Sequence, residues 1–362
     1  MKTKKIERNR NEINTFIEKV LAKRIIKRAA NIGKNEFLDR FSEREFYNLF
    51  RFTKRQIIKL TKLLNIPENI TQPNYKYKVS PIEALSIFLC RFSVPKRLFD
   101  IKKSGIGLSE SRICRIALFT AQYIVDNFGN LLIIGKNSIP STFYDDLQTN
   151  CELVGMPIDN VVAYIDCSHI VCCKPTKIKD DICYTGYKDA RTLKIQVVLS
   201  CSGLVLDLHG PIAGSINDAT QFSMSAVEKR FSKTFYSSKG EELFCYGDGA
   251  YSFANHMVTP FPKFLELNNN DQQDLVLINK VMSKHRVAIE NFFNFYKTTF
   301  AYFDSKKKVK PILTYIGTII RATIFMMNLK TILQGSQVSK KFKCKMPTLE
   351  EYISWNNVNS IE

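Results

Sequence analysis

The pattern of hydrophobic positions divides the chain into a helical first part and a mixed second part. Between residues 41 and 130, apolar residues recur at helical spacing behind capping residues, such as Ser42 with Glu45, Thr53, and Ser80 before Pro81. From about residue 151, runs of β-prone apolar residues take over. The pattern therefore predicts a set of helices followed by a sheet with its own helices.

The second part predicts a mixed α/β fold. Its strand-like runs are VVAYID (161–166), ICYTGYK (182–188), LKIQVVLSC (193–201), GLVLDLHGP (203–211) and ELFCYGD (242–248). Helices are predicted from Ala219, after the fourth run, and from roughly Lys280 to Phe300, after an Asn-rich loop.

A helix-turn-helix order occurs in the first part. A short helix is predicted at 96–102, then the turn SGIGL, then a longer helix capped by Ser109, with Ser111, Arg112 and Arg115 near its start. DNA reading and a purely structural role both stay open, because this order is common in α-helical domains.

The charge is strongly positive and uneven. The formal net charge is +19, and residues 1–60 hold 17 Lys and Arg against 7 Asp and Glu. Such a basic arm favours a polyanionic partner, most simply nucleic acid, although a merely soluble surface gives the same excess. A basic cluster at residues 23–28 is compatible with nuclear targeting or with one face of a basic helix.

Two further features limit the class of protein. The ten cysteines form no C-x-x-C pair, which predicts buried thiols in a reducing compartment and neither a disulfide framework nor a zinc site. The apolar segment Ile312 to Leu333 contains Arg321 and Lys330, so we expect a buried amphipathic helix. The first residues, MKTKKIERNRNE, are charged and contain no apolar core, so they do not resemble a secretory signal. The sequence therefore predicts a soluble intracellular protein and no membrane association.

Asp166 is the residue most difficult to explain by structure alone. It lies in VVAYIDCSHI (161–170), where an ionised carboxylate costs several kcal/mol unless it is paired or bound to a metal. Asp248 follows another strand between two glycines, Asp218 lies in GSINDAT before a helix, and Glu290 lies inside the long helix. Taken singly, these three could be a turn residue, an N-cap and a helix ion pair with Arg286.

The long helix gives Glu290 additional weight. Its apolar stripe at helical spacing must pack on the sheet, and consists of Ile289, Phe292, Phe293, Tyr296 and Phe300. Arg286, Glu290 and Lys297 occupy an adjoining face, where strand ends could meet them. Acids that converge in this way form a site for hard cations, and two such cations are what in-line phosphodiester cleavage uses.

Several motifs in order resemble the PIF/Harbinger-type DDE transposases and their domesticated nuclear relatives. They are DCSH (166–169), GPIAGSINDA (210–219), GDGAY (247–251), TPF (259–261), Asn279 and R-x-x-x-E-x-x-F-x-x-x-K (286–297). The resemblance runs from about 155 to 330, and more weakly over 41–130.

The resemblance implies an RNase H-like fold with an acidic site for Mg²⁺ or Mn²⁺. Its metal ligands would be Asp166, Asp218, Asp248 and Glu290, of which Asp166, Asp248 and Glu290 would form the catalytic triad on the first strand, the strand ELFCYGD and the long helix. Asp218 would be an accessory ligand or would shape the site.

Other residues follow from the same resemblance. His169, Arg286 and Lys297 would contact phosphate or the acids. Asn294 stands where the family usually has glycine, Ser252 where proline is common, and residues 268–274 resemble a local insertion. None of these departures removes an acid.

The resulting prediction is an RNase H-like mixed-sheet nuclease domain preceded by an all-α, helix-turn-helix-like domain. The expected segments are a basic arm (1–40), a helical DNA-binding region (41–150), the nuclease domain (151–335) and a basic, turn-rich tail (336–362) that ends in a short helix or disorder. As the resemblance implies, the protein would cut element ends in double-stranded DNA by water attack and join the 3′-hydroxyls to target DNA in the nucleus. A Myb/SANT-like partner and a homo-oligomer are further expectations.

Two alternatives stay open. A domesticated relative would bind DNA or a partner without transposing. A nucleic-acid-binding scaffold would use its acids only for caps and turns, so it would bind no metal and would tolerate Asp166→Asn.

Overall fold

The fold is described from a computed structural model of the chain. The described residues are 36–72, 75–175, 182–251, 253–262, 269–305, 309–311 and 315–356. Most of the predicted basic arm, with its cluster at 23–28, lies outside these ranges, as do Ser252 and residue 268.

The described chain contains helices throughout and one main sheet. The helices are α1 (Glu43–Phe50), α2 (Lys54–Leu63), α3 (Pro81–Ser93), α4 (Leu98–Ile101), α5 (Glu110–Phe128), α6 (Ser141–Leu153), α7 (Asp218–Ser225), α8 (Val227–Thr234), α9 (Asn269–Thr299), α10 (Ile316–Gln334), α11 (Gln337–Lys341) and α12 (Leu349–Ser354). The strands are β1 (Asn69–Gln72), β2 (Tyr75–Lys78), β3 (Val161–Val171), β4 (Tyr184–Thr185), β5 (Ala190–Ser200), β6 (Val205–Ala213), β7 (Phe244–Tyr246) and β8 (Met257–Val258).

The predicted helix starts in the first part are confirmed. Ser42, Thr53 and Ser80 each form a reciprocal capping box, in which side chain and backbone satisfy two otherwise unpaired N–H groups. Ser109 occupies the position before α5, but its side chain accepts no capping hydrogen bond, so that detail of the prediction is wrong.

The prediction that the first part is all-α is wrong. β1 and β2 form an antiparallel hairpin in which Ile70 lies opposite Tyr77. The β-branched and aromatic residues of NITQ and YKYK favour this hairpin over a helix. The short α4, a turn and the longer α5 do follow one another in the predicted order.

The main sheet is mixed, as predicted. Its order is β8-β7-β3-β5-β6, and β4 also pairs with β5. β3, β5 and β6 are antiparallel neighbours, whereas β7 runs parallel to β3 and to β8. The part of the chain after residue 151 is thus an α/β structure.

Three strand predictions need correction. β3 continues to Val171 because its second half pairs with β5, so Asp166 lies in mid-strand and not at the strand end. The run 182–188 keeps only the two strand residues of β4, since a 3₁₀ turn at Gly186–Lys188 ends the pairing. β8 was not predicted, because a strand of two residues carries no readable alternation.

Two helix predictions also need correction. The helix expected from Ala219 is two helices, because Ala226 adopts a left-handed conformation with φ 52° between them. The helix expected from Lys280 begins at Asn269, so most of the Asn-rich segment is helical. Leu275, Ile278 and Met282 continue the helical spacing N-terminal to Lys280, which explains the longer helix.

One hydrophobic core runs from the first helices through the sheet to the last helices. α10 lies in its centre and contacts α5 and β6. Within the described residues, α10 is the helix whose length and composition would let it cross a membrane, and 72% of its apolar window is buried inside the protein. The expected buried helix is therefore confirmed.

The last described residues belong to this core. Phe342, Tyr352 and Trp355 are buried, and the Tyr352 hydroxyl accepts a hydrogen bond from Asn328 of α10 at 2.8 Å. The short helix expected near the end of the tail is present as α12, and a further short helix, α11, lies in the part expected to be turn-rich.

Candidate metal centre

Three aspartates from different parts of the chain converge where β7 ends beside the middle of β3. Asp166 lies on β3, Asp218 is the first residue of α7, and Asp248 follows β7 by two positions. Each offers a carboxylate oxygen, and these oxygens all lie within 4.8 Å of one another. This aspartate cluster could hold a metal ion, and its oxygen-only ligands suit a hard cation such as Mg²⁺ or Mn²⁺.

The sheet and a helix cap bring the aspartates together. β3 and β7 run parallel with Tyr164 opposite Tyr246, so Asp166 and Asp248, each two residues further on, come close together where β7 ends. Asn217 caps α7, and its side-chain oxygen accepts the Thr220 N–H at 2.7 Å. The N-cap explanation for Asp218 is therefore wrong, and its carboxylate faces the cluster instead.

Asp248 combines a turn role with its place in the cluster. One of its carboxylate oxygens accepts the Ala250 N–H at 2.9 Å, as the Asp-Gly turn signal predicted. This bond orients the carboxylate, and one of its oxygens belongs to the aspartate cluster.

Asp166 is poorly stabilised as an anion without a cation. Its oxygens accept the Cys167 N–H at 2.8 Å and Arg286 Nη1 at 3.3 Å. Burial nevertheless raises the pKa of Asp166 to about 6, and the negative charges of Asp248 and Asp218 act in the same direction. A bound cation would remove this repulsion.

Glu290 lies in the wall of the same cleft but outside the aspartate cluster. Its side chain is 48% exposed and accepts Arg286 Nη2 at 3.0 Å. The helix ion pair expected as the simple alternative is thus present. Since the same Arg286 also contacts Asp166, one guanidinium joins Glu290 to the cluster, and the ligand role of Glu290 stays a prediction.

Lys194 is a site residue that the sequence analysis missed. Its side chain is 2% exposed, and Nζ donates to Asp218 Oδ1 at 2.6 Å and to the Ile216 carbonyl oxygen. The sequence does contain an indication of this role, because Lys194 lies inside the apolar run LKIQVVLSC. A buried amine needs a partner for the same reason as the carboxylate of Asp166.

The cleft around these acids has a volume of about 800 Å³ and is also lined by basic side chains. Three of them, here called the basic wall, are His169, Lys188 and Lys297. His169 Nδ1 lies 2.8 Å from Thr192 Oγ1. Burial and then the charge of Lys194 lower the pKa of His169, and Lys188 and Lys297 add to this effect.

The residues predicted to support the acids therefore share one cleft. His169, Arg286 and Lys297 all line it, together with the exposed Asn294. Acids that could hold a metal and cationic side chains in one cleft suit a substrate that carries phosphates near a metal-dependent reaction centre.

Comparison with known proteins agrees with this arrangement. Residues 165–328 match the family of DDE superfamily endonucleases. The chain is similar to "Putative nuclease HARBI1" of Mus musculus, with 21% identity over 234 residues that cover 62% of this chain and 61% of that protein. The Homo sapiens protein of the same name is 20% identical over 232 residues, covering 62% and 60%.

The chain spans about three fifths of the length of these curated relatives. No solved structure matches it. The resemblance predicted from the motifs is confirmed: residues 165–328, which carry the aspartate cluster and Glu290, match the family of DDE superfamily endonucleases.

Proposed function

We propose that this protein is a divalent-metal-dependent endonuclease that hydrolyses phosphodiester bonds in double-stranded DNA. The observation that carries the proposal is the aspartate cluster, which lies in a cleft that is also lined by basic side chains. The family match over residues 165–328 supports the same reaction class.

In this proposal Asp166, Asp218 and Asp248 hold the cation, with Glu290 at the edge of the site. A bound Mg²⁺ or Mn²⁺ would supply water activation and neutralisation of the charge that develops on phosphate. Arg286 keeps Asp166 and Glu290 oriented through its two hydrogen bonds. Lys194 fixes the Asp218 carboxylate, which restricts the ligand set before substrate binds.

The basic wall would bind the phosphates on either side of the scissile bond. Lys188 and Lys297 are point charges, and His169 is oriented by Thr192. Burial lowers the pKa of Lys297 because it disfavours the charged form of the amine. A phosphate bound nearby would stabilise that charged form, which favours binding of an anion in the cleft.

Finer features belong to the same proposal. We place the domain in the RNase H-like class, with Asp166, Asp248 and Glu290 as the catalytic triad and Asp218 as an accessory ligand. Asp166 lies on the first strand of the main sheet, Asp248 follows β7 and Glu290 lies on α9, an order that supports this assignment. The joining of 3′-hydroxyl ends to target DNA, as in transposition, is the corresponding second reaction.

The wider setting is proposed on the same basis. The helical region, in which α4 and α5 follow one another with residues 102–109 between them, would position double-stranded DNA through phosphate contacts. A nuclear location, a Myb/SANT-like accessory protein and a homo-oligomer complete the proposal. If the protein is a domesticated relative, it would cut or bind DNA without joining ends.

The test is metal-dependent nicking of labelled duplex DNA by the purified protein. We expect cleavage with Mg²⁺ or Mn²⁺ that Asp166→Asn and Glu290→Gln abolish and that Asp218→Asn only weakens. Asp126→Asn changes an exposed acid that bonds Gln122 outside the cleft, so it is a matched control and should cleave normally.

The outcomes distinguish a transposase, a nuclease that does not join ends and a DNA-binding scaffold. A gel that resolves joined strands distinguishes end joining from simple hydrolysis. Binding without cleavage, equal in wild type and all variants, would refute the nuclease proposal and favour the scaffold alternative.

A further inference from the structure

Tyr187 is an exposed aromatic residue in the wall of the candidate active site. Its side chain is 84% exposed, the highest value among the large hydrophobic residues that the structure describes, and it lines the same cleft as the aspartate cluster. Lys188 Nζ lies 4.4 Å from the centre of its ring. A tyrosine in this position contributes little to the core, so folding alone does not explain it.

The turn that carries Tyr187 is fixed to the main sheet. Gly186–Lys188 is a single 3₁₀ turn between β4 and β5, and Thr185 pairs with Ala190 across it. Asp189 closes the turn in a left-handed conformation with φ 44°, and its carboxylate accepts the Tyr184 hydroxyl at 2.7 Å.

This anchoring sets the distance between Tyr187 and the acids. β5 continues from the turn to Lys194, which holds Asp218, and pairs with β3 at Asp166 opposite Val197. The backbone of Tyr187 is therefore held in place relative to the aspartate cluster by one strand and its neighbour.

The surroundings of Tyr187 favour an anionic, aromatic ligand. Lys188 lowers the pKa of both His169 and Lys297, so the three groups of the basic wall lie within each other's electrostatic field. A phosphate between them would relieve this repulsion. An aromatic ring beside a basic groove is the arrangement with which proteins bind unpaired nucleotides, because every base has a face that can stack.

We propose that Tyr187 is a stacking platform for an unpaired base of the DNA next to the scissile phosphate, with Lys188 on the phosphate attached to that base. The inference rests on the proposed nuclease function and names its substrate more closely. Since a base inside a duplex has no free face, the preferred substrate is a DNA end whose last bases are frayed or flipped out. The cleft of about 800 Å³ is large enough for one extruded nucleotide.

The test compares binding of two labelled duplexes of equal length, one fully paired and one with mismatched bases at one end. Binding is measured in Ca²⁺, which takes oxygen ligands, so that affinity is read separately from cleavage. We expect wild type to prefer the mismatched end. Tyr187→Ala should weaken binding to that end by roughly 5- to 150-fold, and binding to the paired duplex by much less.

Two variants and one substitution elsewhere make the result specific. Tyr187→Phe retains the ring and should bind as wild type does. Tyr315→Ala removes an exposed tyrosine that is not part of the cleft lining, and should change neither affinity. Lys188→Gln removes one phosphate contact, so the plot of the logarithm of affinity against the logarithm of salt concentration should become shallower by about 0.7, the value for one contact to a single strand.

The outcomes also separate this inference from the proposed function. Equal affinity of wild type and Tyr187→Ala for the mismatched end would overturn the stacking inference, as would an equal loss on both duplexes. Cleavage that Asp166→Asn abolishes, together with no effect of Tyr187, would leave the nuclease in place and refute only the platform. A mismatch preference that depends on Tyr187, in a protein that never cleaves, would support base stacking and count against the nuclease.

Discussion

Replacing Asp166 by asparagine should change stability in opposite directions with and without metal. The carboxylate is 16% exposed and its pKa is raised from 3.8 to about 6, so the folded state disfavours its ionised form. At neutral pH this corresponds to a cost of about 3 kcal/mol relative to the unfolded chain. Asparagine removes the charge with almost the same shape.

The expected gain is smaller than this cost because one contact is lost. The amide oxygen of the substituted side chain can still accept the Cys167 N–H, but Arg286 then keeps only its bond to Glu290. A lost hydrogen bond of this kind costs about 1 kcal/mol. The metal-free variant should therefore be more stable than wild type at neutral pH, with a free energy of unfolding higher by about 1–2 kcal/mol.

The pH dependence has a definite sign. Because the folded pKa of Asp166 lies above its unfolded value, the folded state binds more protons between the two values, and wild type loses stability as pH rises through about 6. Near pH 4 wild-type Asp166 is protonated and resembles asparagine, so the difference between the two proteins should shrink there.

Metal should reverse the order. A cation that binds only the folded state at about 100 times its Kd adds about 2.7 kcal/mol to wild type, and much less to a variant with a missing ligand. Urea unfolding of both proteins at acid and neutral pH, with and without Mg²⁺, measures the free energy of unfolding under these four conditions. Asp126→Asn is the control. The reasoning is refuted if the metal-free variant is less stable than wild type at neutral pH, or if Mg²⁺ stabilises both equally.

Three further substitutions test other contacts by urea unfolding. Arg230→Met removes the partner of Asp207, whose side chain is 1% exposed, and should lower the free energy of unfolding by about 3–5 kcal/mol while the folded protein keeps its cleavage activity. A decrease below about 1 kcal/mol would contradict a buried ion pair. Lys194→Met leaves the Asp218 carboxylate without its 2.6 Å partner, so it should lower the free energy of unfolding by about 2 kcal/mol. It should also shift the Mg²⁺ concentration at which half of the protein has bound metal, and an unchanged concentration would show that Lys194 does not orient the site. Ser42→Ala breaks the capping box of α1 and should cost about 1 kcal/mol without affecting metal binding, whereas no loss would mean that the cap is replaced by water.

Much of the fold followed from local chemistry. Helix starts at Ser42, Thr53 and Ser80 were predictable because the capping residues and the bonds they make lie within three positions of one another. The long strands β3, β5 and β6 were predictable because continuous β-prone apolar runs have few other stable arrangements.

The errors occurred where partners distant in sequence decide the structure. β3 is longer than its apolar run because β5 pairs with residues 167–171, and β8 exists only because β7 offers it a free edge. The last helices pack into the core through Phe342 and Tyr352, which a window of sequence around residue 340 does not indicate.

The same division holds for the site. Sequence alone determined that Asp166 needs a partner, because a carboxylate in an apolar strand is costly wherever that strand lies. It also determined the family motifs that contain Asp218, Asp248 and Glu290.

Only the tertiary structure decided which groups meet. Parallel pairing of β3 and β7 brings Asp166 to Asp248, and the cap at Asn217 frees Asp218 to join them and Lys194. It also put Tyr187 and Lys188 in the wall of the cleft, through a two-residue strand that no periodicity reveals. The physical reason is that side-chain chemistry is local and can be read from one position, whereas proximity depends on strand register and helix packing across the whole chain.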